Sequence, residues 1–322
     1  SLGEGTSYYQ HLTGQAGASY INTFGKHFVE ILALAEISDT KSNAHSAYAK
    51  QIPFDALPEL GYGQPADSPI GGWSNASRSV GYVFRARYNW DERYLAEFTG
   101  RYDGSYKFAG MRTTRWGFFP SAAVAWNLAK EPWMQGFANL DDLKIRGSVA
   151  LLGNDSIGAY MFLNTYSKYY QQIIYGDYNK GNIVTPGYAD SGLANPDVKW
   201  EQTAQTDIGV DAAFFGNRLT FVADWYQKKT TGMLLSLPVP GYTGESSPTG
   251  NLGDMVNSGV ELDLGYRNTH GDFSWHVSAN ATYNKNSLTY LGDESTYLTV
   301  STHKLGTLSR GVVGLPFPYF YG

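Results

Sequence analysis

Two pairs of acidic residues raise the question of glycosidase chemistry. In an extended strand, Glu261 and Asp263 would share a face at a separation of about 6.6 Å, within the ~5–9.5 Å between the paired carboxylates of glycosidases. Asp207 and Asp211 would also share a face, but about 13 Å apart. Nothing in the sequence places Glu261 or Asp263 in the buried surroundings that suit a general acid. The simpler hypothesis is that both are hydrated charges on a strand.

Other catalytic and metal-binding signatures are missing from the sequence. There is no Cys, and therefore no thiol nucleophile and no Cys-based zinc site. The patterns G-x-S-x-G, Walker A and H-E-x-x-H are also absent, and the six His residues are dispersed at positions 11, 27, 45, 270, 276 and 303. We therefore expect no catalytic residue, no metal site and no cofactor, and predict that the chain is not an enzyme.

Residues 155–202 are rich in tyrosine among Gly, Asn and Ser. Aromatic faces beside amides and hydroxyls suit a sugar or a peptide, because they combine apolar contact with oriented hydrogen bonds. The alternative is that these side chains pack the segment against its neighbours or against a lid protein. The candidate substrate-binding residues are Tyr160, Tyr166, Tyr169, Tyr170, Tyr175, Tyr178 and Tyr188.

The elements that position these residues are strands, because alternation of apolar and polar residues continues along most of the chain. A span of ~9–11 tilted residues crosses the hydrocarbon of a bilayer, and most of the predicted strands are at least that long. The alternation predicts ten strands, at residues 15–24, 26–38, 79–90, 94–103, 115–127, 143–154, 203–215, 218–228, 256–267 and 273–284.

The two faces of the clear strands differ in charge. One face is apolar and carries no charged residue, while the other carries all the strand charges. We predict that the charged face lines a lumen and that some of its residues contact a plug inside it. The alternative is pairing between neighbouring strands, which contributes roughly 0.2–1 kcal/mol for each pair. The predicted lumen-facing or plug-facing residues are Arg85, Arg87, Glu97, Arg101, Asp103 and Arg146.

Composition and the lengths of the connections indicate the class of protein. The 24 Lys and Arg are scattered among 29 Asp and Glu, so there is no basic patch for nucleic acid. Aromatic residues stand near strand ends, and short connections alternate with long ones, as in outer-membrane barrels. Residues 128–142 break this alternation, because they lie in a short-turn position. The long connections, predicted to be extracellular, are residues 39–78, 104–114, 155–202, 229–255 and 285–322.

These patterns predict an all-β fold, an antiparallel transmembrane β-barrel of which this chain supplies about ten strands. A soluble β-sandwich that binds glycans or adheres to surfaces would show similar alternation, and it stays open as the alternative at this point. A position of the apolar face against lipid would distinguish the barrel from the sandwich.

Several strings in the sequence closely resemble the barrel of the SusC-like TonB-dependent outer-membrane transporters of Bacteroidetes. The resemblance extends from about residue 20 to residue 322 with few gaps. The segments that carry it are YNWDERYLAEFTGRYDGSYKFAGMRTTRWGFFPSAAVAWNLAKEPWM at residues 88–134, LDDLKIRGSVALLGN at 140–154, NPDVKWE at 195–201, TDIGVDAAFFGNRLTFVADWYQKKTTGMLL at 206–235 and NSGVELDLGYRN at 257–268.

The resemblance implies that residues 1–322 are a partial barrel domain from a 22-stranded barrel. It also implies a location in the outer membrane, in contact with its lipid. Members of the family add a plug inside the barrel, a segment that contacts TonB, and a SusD-like surface lipoprotein. Nothing in this sequence resembles the plug or the TonB-contacting segment. The implied function is import of an oligosaccharide or a peptide, and the alternative within the family is uptake of a siderophore or vitamin.

Overall fold

The computed structural model describes residues 1–52, 59–108, 115–174, 184–190, 192–236, 248–292, 297–303 and 306–320. Its main feature is one antiparallel sheet of ten strands, in the order β1-β2-β3-β4-β5-β6-β9-β10-β11-β12. These strands are β1 (Leu2–Phe24), β2 (His27–Lys50), β3 (Gln64–Trp90), β4 (Tyr94–Ser105), β5 (Trp116–Asn127), β6 (Leu140–Asn154), β9 (Glu201–Phe214), β10 (Leu219–Ser236), β11 (Thr249–His270) and β12 (Phe273–Leu291).

The remaining elements are short. The hairpin β7 (Tyr166–Ile174) and β8 (Val184–Asp190) lies between β6 and β9, and a three-stranded sheet follows β12. That sheet consists of β13 (Leu298–His303), β14 (Gly306–Gly311) and β15 (Tyr319–Phe320). Two 3-10 helices occur at Leu60–Tyr62 and Leu128–Lys130. No helix in the described ranges is long and apolar enough to cross a membrane.

The all-β prediction and its ten strands are confirmed, but several strands are longer than the sequence predicts. Residues 39–78 were expected to be a connection, whereas β2 continues to Lys50 and β3 begins at Gln64. Similarly, β10 and β11 occupy much of 229–255, β12 continues to Leu291, and residues 155–202 contain β7 and β8. The physical reason is that ladder hydrogen bonds do not require an apolar face. Strands therefore continue where the alternation has ended.

The apolar face of the ten-stranded sheet is not covered by a second sheet in the described part of the chain. Phe118, Val124 and Val277 on this face are 53%, 63% and 61% exposed. A β-sandwich would bury these side chains in its core, so the sandwich alternative is wrong. The exposed apolar face is instead the lipid-facing surface of a barrel.

Two clusters of stacked aromatic rings mark the edges of the apolar band. At the short-turn end, Tyr94 stacks on Trp90 and Trp126, with ring centroids 5.4 and 6.1 Å apart. At the other end, Trp116 stacks on Tyr102 at 4.9 Å and on Tyr82 at 6.4 Å. Tyr94 and Tyr102 are separated by about 26 Å along β4, or ~20 Å after a typical strand tilt. That height agrees with the ~25 Å apolar band of outer-membrane barrels.

The connection between β5 and β6, which is longer than the other turns at this end of the sheet, contacts the turn between β3 and β4. It runs from residue 128 to residue 139 and begins with the second 3-10 helix. Its Glu131 is 6% exposed and accepts hydrogen bonds from Trp126 Nε1 at 2.9 Å and Tyr94 Oη at 2.8 Å. Arg93, in the turn between β3 and β4, donates to the same carboxylate at 3.3 Å. Glu131 therefore ties this longer connection to β4, β5 and the turn between β3 and β4.

Glu131→Gln is expected to lower the stability of the barrel at neutral pH, because it removes the charge that Arg93 faces. The hydrogen bonds from Trp126 and Tyr94, together with Arg93, lower the pKa of Glu131 below its usual 4.5. The carboxylate therefore stabilises the fold above pH ~4.5, and that contribution is lost as the pH falls through the lowered native pKa. The measurement is the urea midpoint of the purified receptor against pH. A difference between wild type and variant that stays constant down to pH ~3 would contradict this assignment.

Candidate functional site

The six predicted lumen-facing residues lie on the charged face of the sheet, opposite the apolar face, which we call the inner face. They form ion pairs in three clusters, partly with one another and partly with other acidic residues of that face. In the first cluster, Glu30 of β2 accepts from Arg85 at 2.6 Å and from Arg87 at 3.2 Å. Arg87 also donates to Glu97 of β4 at 3.0 Å. The Glu30 side chain is only 13% exposed, so the two guanidinium groups replace much of the water that would otherwise solvate it.

The second cluster lies nearer the outer end of the wall. Arg101 donates to Asp103 at 2.7 Å and lies 3.6 Å from Glu36 of β2. Sequence reasoning did not name Glu30 or Glu36 among the lumen residues, although both fall on the inner face by alternation along β2. Alternation in residues 26–38 could have identified them. That strand alternates weakly, however, and the charge on the two faces was compared only for the clear strands.

The third cluster connects β6, β9 and β10. Asp211 accepts from Lys144 at 2.7 Å and from Arg146 at 3.1 Å, and Arg146 also donates to Asp224 at 2.7 Å. This arrangement depends on Gly209, because a Cβ there would lie 2.2 Å from Asp224 Oδ1 and 2.6 Å from Arg146 Cζ. The glycine leaves the space through which the guanidinium reaches across β9.

A depression of about 510 Å³ lies on the inner face between the first and third clusters. Side chains of both charges surround it, and its floor is made of small residues on β5 and β6. Such a surface suits a polar occupant that offers both donors and acceptors. Contact with a plug at this place stays a prediction. The inner-face lining consists of the polar Arg87, Asn89, Glu97, Arg146 and Asp207, the apolar Phe28 and Leu95, and the small Ala123, Ala125 and Ser148 as the floor.

The two carboxylate pairs that raised the glycosidase question have different surroundings. Glu261 and Asp263 both lie on the inner face of β11 and are exposed, opposite Thr282 and Asn280 of β12. Asp211 is held in the third cluster. This geometry agrees with the hypothesis of hydrated wall charges. In the described residues, no three His, Asp or Glu side chains converge as a metal site would require.

The structure describes the side chains of only two of the seven candidate tyrosines. Tyr160 packs edge-on against Tyr106, with ring centroids 6.3 Å apart, and is 46% exposed. Tyr166 begins β7 and is 68% exposed. Tyr169, Tyr170 and Tyr188 belong to the β7–β8 hairpin, of which the backbone is described at these positions. Tyr175 and Tyr178 lie outside the described residues. Ligand contact by these tyrosines stays a prediction.

An aromatic cluster fixes the end of the tyrosine-rich segment to the rim. Trp200 packs against Phe108 at 5.0 Å and against Phe119 at 5.2 Å, and Phe108 is fully buried. Next to it, Asn251 of β11 accepts from the Lys199 amide at 2.9 Å and donates to the Lys199 carbonyl at 2.8 Å. The segment 195–200 is therefore a fixed support at the point where the chain enters β9.

Comparison with known proteins identifies the family to which this chain belongs. The family model described as TonB dependent receptor-like, beta-barrel, matches residues 3–319. The TonB-dependent receptor P3 of Formosa agariphila is 31% identical over 299 residues, which are 90% of this chain and 29% of that receptor. The TonB-dependent receptor SusC of Bacteroides thetaiotaomicron is 29% identical over 319 residues, which are 96% of this chain and 30% of SusC.

Solved structures match the same fold. The RagAB peptide transporter superposes with a TM-score of 0.84 at 24% identity, over 99% of this chain and 34% of that one. The siderophore receptor PirA of Acinetobacter baumannii superposes with a TM-score of 0.54 at 14% identity, over 87% of this chain and 37% of that one. The chain thus spans only about 29–30% of the length of the two curated relatives described above.

Proposed function

Because the chain belongs to the TonB-dependent receptor-like β-barrel family, whose members are outer-membrane proteins, we propose that it forms part of the wall of a nutrient importer. The imported molecule is an oligosaccharide or a peptide too large for general porins. Energy comes from the inner membrane through TonB, and the barrel wall performs no covalent chemistry. A siderophore or vitamin is the alternative cargo.

The observation that carries this proposal is the contrast between the two faces of one sheet. The outer face is apolar and exposed between two aromatic bands, as a lipid-facing wall requires. The inner face carries paired charges around a depression of about 510 Å³. A wall with these faces encloses a polar lumen, and the paired charges provide donors and acceptors for a plug domain.

The partners follow from the same family. A plug segment that contacts TonB would lie in the lumen, and a SusD-like lipoprotein would cover the end that carries the long connections. The short turns, including 91–93 and the fixed connection 128–139, would face the periplasm. The tyrosines of residues 155–202 would then lie on the extracellular side, where ligand and lipoprotein meet the barrel.

The test is uptake of a fluorescent oligosaccharide or peptide by cells that express the natural full-length receptor. Uptake is expected to fall to background when TonB is deleted or the proton-motive force is dissipated, because transport depends on energy from the inner membrane. Entry of a monosaccharide through porins in the same cells is the control. Uptake of the large substrate that continues unchanged without TonB would refute the proposal.

A further inference from the structure

The first three strands continue well beyond the outer aromatic band and form a separate inner surface there. Trp73 lies nine residues beyond Tyr82 of that band, which corresponds to about 30 Å along β3. We call this surface the outer platform. It consists of the inner-face residues of β1, β2 and β3 in this extension, namely Ser7, Tyr9, His11, Thr40, Ser42, Ala44, Ser46, Gly71, Trp73, Asn75 and Ser77.

The outer platform differs from the wall below it because it has no Asp, Glu, Lys or Arg. The charged residues of the same stretch alternate to the opposite face, where Arg78 donates to Asp39 at 3.2 Å. The one titratable imidazole of the platform, His11, lies at its lower border within 2.7 Å of Thr40 Oγ1 and 3.0 Å of Thr13 Oγ1. A charged ligand would therefore find no partner of opposite charge on the platform.

Two exposed aromatic rings stand on either side of a floor of small residues. The register places Tyr9, Ser42 and Asn75 in one row across the three strands, and Ser7, Ala44 and Trp73 in the next. Tyr9 and Trp73 are thus diagonal to each other, with Cα atoms about 12 Å apart at ~4.8 Å per strand and ~3.3 Å per residue. Tyr9 is 69% exposed and Trp73 is 57% exposed. The result is a shallow trough with aromatic sides.

Polar groups with free hydrogen-bonding capacity line this trough. In the described part of the chain, the side chains of Ser7, Ser42 and Asn75 have no protein hydrogen-bond partner. Below the trough, near Ser77, Tyr106 contacts the candidate residue Tyr160, with ring centroids 6.3 Å apart. The platform therefore leads from Trp73 towards the tyrosine-rich segment along one continuous inner surface.

We propose that the outer platform binds an uncharged oligosaccharide, with Tyr9 and Trp73 contacting sugar rings and Ser42 and Asn75 bonding their hydroxyls. Sugar rings present apolar C–H faces together with hydroxyls that both donate and accept, which matches aromatic rings beside Ser and Asn. The platform offers no ion pair, so it favours neutral sugars over uronic acids or sulfated sugars. This inference rests on the proposed function, since it names the cargo and a place where the cargo contacts the wall.

A peptide fits this surface less well. Extended peptides are commonly recognised by adding a strand to an exposed sheet edge, whereas the trough lies on a face between β1 and β3. There, the backbone groups of β2 are already paired with both neighbours. Only side chains are available to a ligand, and the platform has no charged side chain for peptide termini or charged residues.

The test measures binding of the natural full-length receptor, purified in detergent, to an array of ligands. The array carries neutral, uronic-acid-containing and sulfated oligosaccharides, and peptides. The strongest binding is expected for a neutral oligosaccharide. Tyr9→Ala and Trp73→Ala are each expected to weaken that binding about tenfold, because each removes one stacked ring. Ser42→Trp, which fills the floor, is expected to weaken it at least as much.

The matched control is Tyr8→Ala, since Tyr8 is the next residue of β1, lies on the opposite face and is 53% exposed. Its affinity is expected to stay within about twofold of wild type. Heat-modifiable migration on gels checks that each variant is folded.

Three results would overturn the inference: tighter binding of acidic sugars or peptides, binding of no neutral oligosaccharide, or unchanged sugar affinity in the inner-face variants. Unchanged sugar affinity with loss of a co-purifying lipoprotein would assign the platform to the lid instead. Because binding is measured on purified receptor, these results are independent of the TonB-dependent uptake that tests the proposed function.

Discussion

Phe108→Ala is expected to destabilise the folded receptor by about 3–5 kcal/mol, the usual cost of emptying a fully buried phenylalanine site. Phe108 has no exposed surface, and its ring packs 5.0 Å from Trp200, which in turn packs 5.2 Å from Phe119. The cavity would leave Trp200 without its buried neighbour, and the segment 195–200 would lose its packing. Urea unfolding of the purified receptor, followed by tryptophan fluorescence, measures the change.

The control for Phe108 is Phe118→Ala, because Phe118 lies on the lipid-facing side and is 53% exposed. It should cost clearly less, since detergent or lipid can fill the space that the ring vacates. Trp200→Ala should be strongly non-additive with Phe108→Ala, because the two side chains share one contact. Equal losses for Phe108→Ala and Phe118→Ala would show that the cluster at the rim does not stabilise the barrel.

Arg146→Gln is expected to have the second largest effect on stability, about 1–3 kcal/mol. Breaking a fully buried ion pair costs ~3–5 kcal/mol, and the 34% exposure of Arg146 reduces that loss through solvation of the carboxylates. Asp211 keeps Lys144 as a partner, whereas the carboxylate of Asp224, only 17% exposed, loses the guanidinium 2.7 Å away. The same urea unfolding experiment measures the difference.

A double-mutant cycle makes the prediction for Arg146 specific. Asp224→Asn in the Arg146→Gln background is expected to recover part of the lost stability, because it removes the carboxylate left unpaired. The stability of Arg146→Lys should lie between that of wild type and that of Arg146→Gln. A lysine carries the charge but lacks the guanidinium group, whose several N–H donors reach Asp211 and Asp224 at the same time. If the single substitutions are additive, Arg146 and Asp224 do not stabilise each other.

The membrane-spanning part of the fold could be predicted from the sequence because its strands have lipid on one face and water on the other. Apolar and polar residues therefore alternate along each strand. Wherever one face is lipid and the other water, as from Tyr94 to Tyr102, the period of two is unambiguous. Beyond the aromatic bands both faces meet water, so Ser, Asn, Gly and Ala occur on either side. The extensions of β2 and β3 were therefore predicted as a connection.

The site could be predicted only where a strand had been assigned. The alternation assigns the six predicted lumen residues to the charged face, and their role in the lumen stays a prediction. Their neighbours Glu30 and Glu36 were missed, because they lie in a strand of weak alternation. The sequence assigned no face to Tyr9 or Trp73, because Tyr9 precedes the first predicted strand and Trp73 falls in the predicted connection 39–78. The hydrogen bonds of Glu131 were also unpredictable, because Glu131 and Arg93 come from two connections and Tyr94 and Trp126 from two strands. These side chains meet only in the folded sheet.

The order of strands in the sheet has a consequence for how the barrel forms. Every pair of neighbours in the ten-stranded sheet is consecutive in sequence, except β6 and β9. Eight of the nine neighbouring pairs therefore form between strands joined by connections of at most 13 residues, and local contacts of this kind favour fast folding. Joining β6 to β9 instead closes the segment 155–200. That closure costs about 2 kcal/mol more in chain entropy than a three-residue turn. Pairing of β7 with β8 shortens the effective loop, so an early β7–β8 hairpin would lower this entropic cost.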